Sequence, residues 1–345
     1  MGNTKRLAED LQPYQQRIEA VLKEVVGSNP LTFYDVLRYH MGWQDEQGRP
    51  CHREAGKFIR PLLCLLSCQA VGGDAMRVMP AAAALELIHN FSLIHDDIQD
   101  VSSQRHHRAT VWKIWGESQA INAGDAMFAL AFSALFKLRY NGIDEQKVVT
   151  AAQLLNKACL ELCEGQYLDI AYQSRLDVTM KDYLDMIAKK TAALIAASTA
   201  IGACLAADDD KVVDSLYGFG KELGMAYQIQ DDVLGIWGKE EEIGKPVKED
   251  ISRRKKTLPV VYAFENCEDS DREKLEVLYS QEVISNDDVA MVVEILDCSG
   301  ARKHGEKLIG RYHRQALAKL GISSLDLSRQ TSLEEMASFL LERDY

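Results

Sequence analysis

Apolar residues recur at three- and four-residue intervals along most of this 345-residue chain, and strand-like alternation is nearly absent. Each such stretch makes one apolar helix face, and those faces must bury one another. The spacing predicts helices over residues 5–26, 57–71, 80–100, 115–138, 144–172, 180–206, 208–237, 258–266 and 287–321. Pro80 reads as a first-turn proline, and Thr179 as a cap ahead of Lys181-Asp182. Val71-Gly72-Gly73-Asp74 and Tyr140-Asn141-Gly142 read as turns between helices. With seven prolines and no Ser/Gly linker, the expected architecture is a single all-α helical bundle over residues 1–345. Residues 1–50 form its N-terminal helical extension, and its sites line the core.

Two pairs of aspartates interrupt this apolar pattern. The first lies in His95-Asp96-Asp97-Ile98-Gln99-Asp100 and the second in Gln230-Asp231-Asp232-Val233. Carboxylates this dense are costly to bury unless they are paired or bind metal. On a helix, Asp96 and Asp100 share one face a turn apart. Asp96, Asp97, Asp100, Asp231 and Asp232 therefore read as an all-oxygen site for a hard divalent cation. Magnesium takes one or two carboxylates and completes its shell with substrate phosphates.

Bulk properties narrow the function further. A net charge of −12 lacks the basic footprint that nucleic-acid binding requires. An anionic substrate would need local cations or metal to offset that charge. The eight cysteines include no CxxC pair and read as small core residues in a reducing cytosol. The first ten residues are too polar for a secretory leader, Arg6 breaks a myristoylation motif, and Arg343-Asp344-Tyr345 is no prenylation box. The longest uncharged run, 191–207, falls short of a membrane span and reads as a core helix. A soluble cytoplasmic protein with no membrane span is expected. Residues 238–257, GKEEEIGKPVKEDISRRKKT, break the helical rhythm directly after the second pair. They read either as a solvated loop or as a charged lid carrying Lys245 and Lys255 onto a phosphate-bearing substrate.

Four segments, in order, resemble the all-trans polyprenyl diphosphate synthases. Ala55-Gly56-Lys57-Phe58-Ile59-Arg60-Pro61 looks like that family's GGKRxRP, and His89 followed by Asp96-Asp97-Ile98-Gln99-Asp100 looks like its DDxxD. Lys190-Thr191 resembles its KT pair. Gln228-Ile229-Gln230-Asp231-Asp232, continuing through Gly244-Lys245 to Lys255-Lys256-Thr257-Leu258-Pro259, resembles its second aspartate-rich region. A lone DDxxD also occurs in terpene cyclases, whereas all four segments in order are specific.

The resemblance implies a helical fold around an elongation cavity and a magnesium-assisted prenyl transfer, with three ions per site. Asp96 and Asp100 would hold ions on one wall and Asp231 another opposite, with Asp97 and Asp232 as direct or supporting ligands. Arg105, Lys190, Thr191, Gln228, Lys245 and Lys255 would grip an allylic diphosphate. Lys57, Arg60, His89 and His106 would serve isopentenyl diphosphate, whose double bond attacks the allylic cation. The released diphosphate takes the proton. A homodimer is also implied.

Three positions depart from the family pattern. Phe58 replaces the arginine of GGKR, and His106 replaces the second arginine of RRG. Gly235 stands where the last aspartate of the second motif often lies, which leaves that wall to Asp231 with help from Asp250. A neutral histidine offers one donor against the fixed fork of arginine. His106 therefore implies either weaker isopentenyl diphosphate affinity or a ring protonated beside the diphosphate.

The resemblance also implies that the residues four and five before the first aspartate, Ser92 and Phe91, line the floor of the elongation pocket and set product length. One helical turn is about 5.4 Å, so a bulky side chain there stops a growing chain mechanically. Small Ser92 and large Phe91, with no insertion in the first motif, resemble the geranylgeranyl (C20) pattern more than the farnesyl (C15) one. Two other functions compete. A terpene cyclase would need NDxxSxxxE. The stretch from Asn286 to Glu294 mimics that spacing but has Ala290 in place of the hydroxyl ligand, and it reads as a helix start. A silent modulating subunit would be expected to lose metal aspartates, which this chain keeps.

Overall fold

The apolar periodicity becomes helix in the computed structural model, which describes residues 2–51, 57–238, 248–321 and 327–341. The first helices are α1 (Gly2–Val26), α2 (Phe33–His40), α3 (Ile59–Ala70) and α4 (Met79–Gln99). A two-stranded hairpin, β1 (Gln104–Arg105) and β2 (Arg108–Ala109), precedes the short α5 (Val111–Trp115) and then α6 (Glu117–Leu135). After a 3-10 stretch (Phe136–Asn141) come α7 (Glu145–Gln173), α8 (Met180–Ile187), a π-helical stretch (Ala188–Ala192) and α9 (Ala193–Ala206). The remaining helices are α10 (Asp210–Trp237), α11 (Glu249–Ser252), α12 (Leu258–Asn266), α13 (Asp269–Tyr279), α14 (Asn286–Ser299), α15 (Ala301–Lys319) and α16 (Leu327–Leu341).

The cues read from sequence act locally as expected. Pro80 lies in the first turn of α4. Thr179 closes a capping box on α8: its hydroxyl accepts from the Asp182 amide, and the Asp182 carboxylate accepts from the Thr179 amide. Other boundaries move for backbone reasons. The stretch 287–321 is not one helix, because Gly300 adopts φ 78 and ends α14 before α15 begins. The helix expected from residue 57 starts at Ile59, because Phe58 takes a left-handed conformation (φ 47) at its N-cap.

Contacts divide the chain into two compact units. One comprises Met1–Cys159, Leu194–Tyr217 and Leu320–Met336; the other comprises Leu160–Ala193, Gly218–Lys319 and Ala337–Tyr345. The boundaries fall inside or beside helices, so the sequence carries no linker to mark them.

In the first unit α4 packs extensively against α6. It is close because residue 124 is glycine; a Cβ there would lie 2.2 Å from His95 Nε2. Gly202 similarly lets α9 approach α3, where a Cβ would lie 2.0 Å from the Cys64 carbonyl oxygen. Leu62, Leu63, Leu85, Leu87 and Ile88 are buried around these contacts, each contributing about 1.5–3 kcal/mol of transfer free energy. Cys64, Cys68, Cys159 and Cys204 are buried free thiols in this core.

Among the described residues, the second unit holds at least these two apolar clusters. One joins Tyr183, Met186, Ile187, Met225, Ile229, Val233 and Leu258. The other joins Ile251, Val260, Leu275, Tyr279, Val292 and Leu296.

Among the described residues, two helices meet the length and composition expected of a membrane span, Glu117–Asn141 and Met180–Ala206. The second contains residues 191–206 of the uncharged run and is longer than that run alone suggests. It is 83% buried inside the protein, as a core helix should be, whereas the first is 39% buried.

Candidate active site

Adjacent residues on a helix point about 100° apart, so an aspartate pair cannot face one way. Asp96 and Asp97 close the last turn of α4, and Asp100 is its C-cap. Asp97 turns inward and is 2% exposed, while Asp96 and Asp100 stay half-buried a turn apart. Arg105 answers the buried carboxylate: Nε donates to Asp97 Oδ1 at 2.9 Å, and Nη2 lies 2.8 Å from the same oxygen and 3.8 Å from Asp96 Oδ2. Burial still holds the Asp97 carboxyl above its ordinary range. Arg105, expected on the allylic diphosphate, thus spends its fork on Asp97, and Asp97 supports this wall through that pairing.

Arg105 opens a hairpin whose register pairs it with Arg108 across His106-His107. Both histidines take positive φ, 48 and 58, in a two-residue turn that ordinarily favours Asn-Gly. The hairpin is fastened to α2. Arg108 stacks 3.8 Å over the Tyr39 ring and donates to the Tyr39 and Gln44 carbonyls, while the Tyr39 hydroxyl donates to the Ala109 carbonyl. His106 is exposed on the turn, and Lys57 is exposed beside the N-cap of α3.

In the same unit two arginines act on His89. Burial, then the charges of Arg60 and Arg105, hold the His89 ring well below its usual range, so it is neutral. Glu86, one turn before Asn90 on α4, is buried, and burial pushes its carboxyl up to about 7 against the pull of Arg60. Sequence reading missed Glu86; its signal is a carboxylate in the middle of the apolar run from Ala81 to Ile88.

Asp232 is the inward member of the second pair. It is 7% exposed and accepts from the Tyr183 hydroxyl (2.8 Å), Gln228 Nε2 (2.8 Å) and the Leu258 amide (2.9 Å). Its two oxygens accept from these three protein donors, an arrangement that suits the supporting role of the two the resemblance implies. Burial pushes it up to about 7 while those donors pull the other way. The carboxylate also caps α12 from outside; Thr257, at the N-cap position, makes no cap bond of its own. Gln228 in turn receives the Thr191 hydroxyl at 2.6 Å. Two residues expected on diphosphate therefore sit in one internal chain with Asp232.

Asp231 is half-buried on the other side of α10. One turn on, a Cβ at Gly235 would lie 3.6 Å from Asp250 Oδ2. Asp250 thus places a carboxylate beside the position where the sequence lacks one.

Asp169 on α7 is the main residue that sequence reading missed. It is 6% exposed, and its Oδ2 lies 2.6 Å from Lys190 Nζ and 3.6 Å from Lys255 Nζ. Two cations expected to grip diphosphate share one buried carboxylate. Lys190 reaches it from the π-helical stretch, where Gly165 allows a close approach; a Cβ there would lie 2.2 Å from the Lys190 amide nitrogen. The available signal was Gly165-Gln166-Tyr167-Leu168-Asp169, a glycine and two buried polar residues in one helix.

Lys245 lies outside the described residues. In the described part of 238–257, α11 forms, Ile251 and Lys256 are buried, and the Lys255 amide bonds the Asp250 carbonyl. Lys256 lies 4.5 Å from the Tyr279 ring centre and donates to the Gln173 carbonyl. The cyclase-like stretch is a helix start, as expected. Ser285 is the N-cap of α14, bonded to the Asp288 amide, and Glu294 is exposed.

Among the described residues no three His, Cys, Asp or Glu side chains are poised to hold a metal by themselves. Hard oxygen donors in ones and twos fit magnesium that completes its shell with phosphate, and fit a closed protein cage poorly. Phe91, 9% exposed, lies edge-on to His95 and Phe128 at 5.0 and 5.5 Å, so its ring is buttressed in place. Ser92 turns its hydroxyl back to the His89 carbonyl.

The chain and its fold are similar to those of known proteins. Residues 46–296 match the polyprenyl synthetase family. The chain is 38% identical over 346 residues to a (2E,6E)-farnesyl diphosphate synthase of Mycobacterium tuberculosis, covering 99% of this chain and 94% of that protein. It is 36% identical over 324 residues to a geranylgeranyl diphosphate synthase of the same organism, covering 94% and 90%. Among solved structures, a polyprenyl synthetase from Streptomyces coelicolor A3(2) superposes with TM-score 0.87 at 34% identity, covering 95% of this chain and 98% of that one. The geranylgeranyl pyrophosphate synthetase of Pyrococcus horikoshii Ot3 gives 0.85 at 33%, covering 99% of each. The chain belongs to the polyprenyl synthetase family and has its all-α isoprenoid synthase fold.

Proposed function

We propose that this prenyltransferase, a short-chain prenyl diphosphate synthase, condenses isopentenyl diphosphate with an allylic diphosphate and stops at geranylgeranyl diphosphate (C20). The observation that carries the reading is the division within each aspartate pair. Asp97 and Asp232 are buried and bound by protein donors, while Asp96 and Asp231 stay half-buried at the surface of their helices. Magnesium, three ions per site, would stabilise charge developing on the departing diphosphate. Asp96 and Asp100 would hold it on α4, and Asp231, helped by Asp250, on α10. Lys190 and Lys255 leave Asp169 for the allylic diphosphate, and neutral His89 beside Arg60 donates to isopentenyl diphosphate.

The buttressed ring of Phe91 supports C20 as the stopping length. A farnesyl (C15) product is the second reading, favoured by the 38% identity to a farnesyl diphosphate synthase across nearly the whole chain. The eight free cysteines support a reducing, cytoplasmic setting. The exposed apolar face of α6 and the 3-10 stretch after it, with Ile121 47% and Phe136 50% exposed, supports a homodimer through that face.

The test is purified protein with magnesium, an allylic diphosphate and labelled isopentenyl diphosphate. Label in a prenyl diphosphate is expected. An unlabelled hydrocarbon would indicate a cyclase, and no product would indicate a modulating subunit.

A further inference from the structure

The π-helical stretch Ala188–Ala192 lies between the parts of α7 and α10 that belong to its own unit. On the α7 side a Cβ at Gly165 would lie 2.2 Å from the Lys190 amide nitrogen, and on the α10 side a Cβ at Gly224 would lie 2.6 Å from the Ala192 Cα. Close approach on both sides limits the room but does not select a π turn. Two side-chain hydrogen bonds do. Tyr183 on α8 is fully buried, and its hydroxyl donates to Asp232 Oδ2 at 2.8 Å. Thr191, inside the stretch, donates to Gln228 Oε1 at 2.6 Å, and Gln228 Nε2 donates to Asp232 Oδ1 at 2.8 Å. Both hydroxyls are therefore fastened to one turn of α10, whose residues 228 and 232 share a face.

Helix geometry sets what that fastening demands. In an unbroken α-helix the chain turns about 800° from Tyr183 to Thr191, which leaves Thr191 about 80° round from Tyr183. Lys190, one residue earlier, would lie about 20° from Tyr183 and would face α10 in its place. A π turn takes up roughly one extra residue. Thr191 is thereby brought back onto the Tyr183 face, and Lys190 swings off it toward α7, where its Nζ lies 2.6 Å from Asp169 Oδ2. The register of this one turn decides which of two adjacent side chains faces α10.

We infer that Tyr183 is a positioning residue for prenyl transfer: its hydroxyl, together with that of Thr191, locks the π register that keeps Lys190 on the α7 side for the allylic diphosphate. The inference rests on the reading of Lys190 as a diphosphate-binding cation. The hydrogen-bond chain has one polarity. Asp232 accepts from Tyr183 and from the Leu258 amide on one oxygen, so Gln228 turns its NH2 to the other and its carbonyl to Thr191. Without the Tyr183 hydroxyl, the Asp232 carboxylate loses one of its three donors and is free to turn from Gln228. Thr191 then loses a fixed acceptor, and the α register, with Lys190 facing α10, becomes accessible.

The experiment varies each substrate in turn for Tyr183→Phe, which removes the hydroxyl and keeps the ring in its apolar cluster. KM for the allylic diphosphate should rise about 5- to 20-fold, with KM for isopentenyl diphosphate within about twofold of wild type. In a Lys190→Met background the same substitution should change the allylic KM by less than about twofold, because Tyr183 acts through Lys190. An equal rise in both KM values, a fall in kcat alone, no change, or a full additional rise in Lys190→Met would overturn the inference while wild-type turnover leaves the activity standing. If Tyr183→Phe does not fold, the other end of the lock decides. Thr191→Ser keeps the donor and should stay near wild type, whereas Thr191→Val should raise the allylic KM only where Lys190 is present; a Thr191→Val effect that persists in Lys190→Met would overturn the inference. A wild type that incorporates no label, or a Lys190→Met enzyme with the wild-type allylic KM, overturns the reading of the site and this inference with it.

Discussion

His106 sits at the strained tip of a two-residue turn, where φ is 48, and there it replaces an arginine of the family pattern. Arginine at that position would meet the same backbone cost and add a fork of donors. His106→Arg should therefore lower KM for isopentenyl diphosphate severalfold, read from initial rates at saturating allylic substrate; an unchanged KM would mean the turn does not reach the ligand. Glu86 gives a stability prediction at the same scale. Burial raises its folded-state carboxyl from 4.5 to about 7, so between those values the folded chain binds more protons than the unfolded one. Stability should fall as pH rises from about 4.5 to about 7 and then level off, by at most roughly 3 kcal/mol. Glu86→Gln, neutral throughout, should remove that part of the slope in denaturant titrations across the range. An identical slope in the variant would show that the carboxyl titrates normally.

The residues of the site were legible by type, but their roles were not. Asp96-Asp97 and Asp231-Asp232 stand out in apolar helices, yet nothing in the sequence says which member faces inward. That depends on which side of the helix the rest of the fold covers. Asp169 was invisible for the same reason, because its importance comes from Lys190 and Lys255, 21 and 86 positions further along the chain, meeting on it.

Among the elements, long periodic helices such as α4, α7 and α10 were readable because one apolar face repeats over many turns. Short ones escaped. The eight-residue α2 offers about two turns of pattern, and α13 is so charged that its buried Leu275, Leu278 and Tyr279 are hard to see. The π-helical stretch was unreadable, since it comes from the approach of α7 and not from propensity. That approach depends on Gly165. Gly165→Ala should drive a methyl into the Lys190 backbone, cost about 1–3 kcal/mol and move Lys190 off its position. A thermal melt should drop, and KM for the allylic substrate should rise more than that for isopentenyl diphosphate. A variant with wild-type melting and kinetics would show that the contact gives way freely.

On the scale of the whole molecule, the absence of a linker was legible, but not the division into two interleaved units. Their boundaries fall inside or beside helices. The exposed apolar face of α6 also belongs to this scale. Ile121→Asp with Phe136→Asp should convert a dimer to a monomer in light scattering, and a wild type that is already monomeric would reject the homodimer. Phe91 joins that face to the reaction, because its ring rests on Phe128, and Phe128, Phe132 and Phe136 continue the contact along one side. The most direct measurement is chromatography of the dephosphorylated products from wild type and Phe91→Ala, each given dimethylallyl diphosphate, labelled isopentenyl diphosphate and magnesium. A C20 wild-type product and a longer one from Phe91→Ala are predicted; a C15 wild-type product, or the same length from both, would contradict the account.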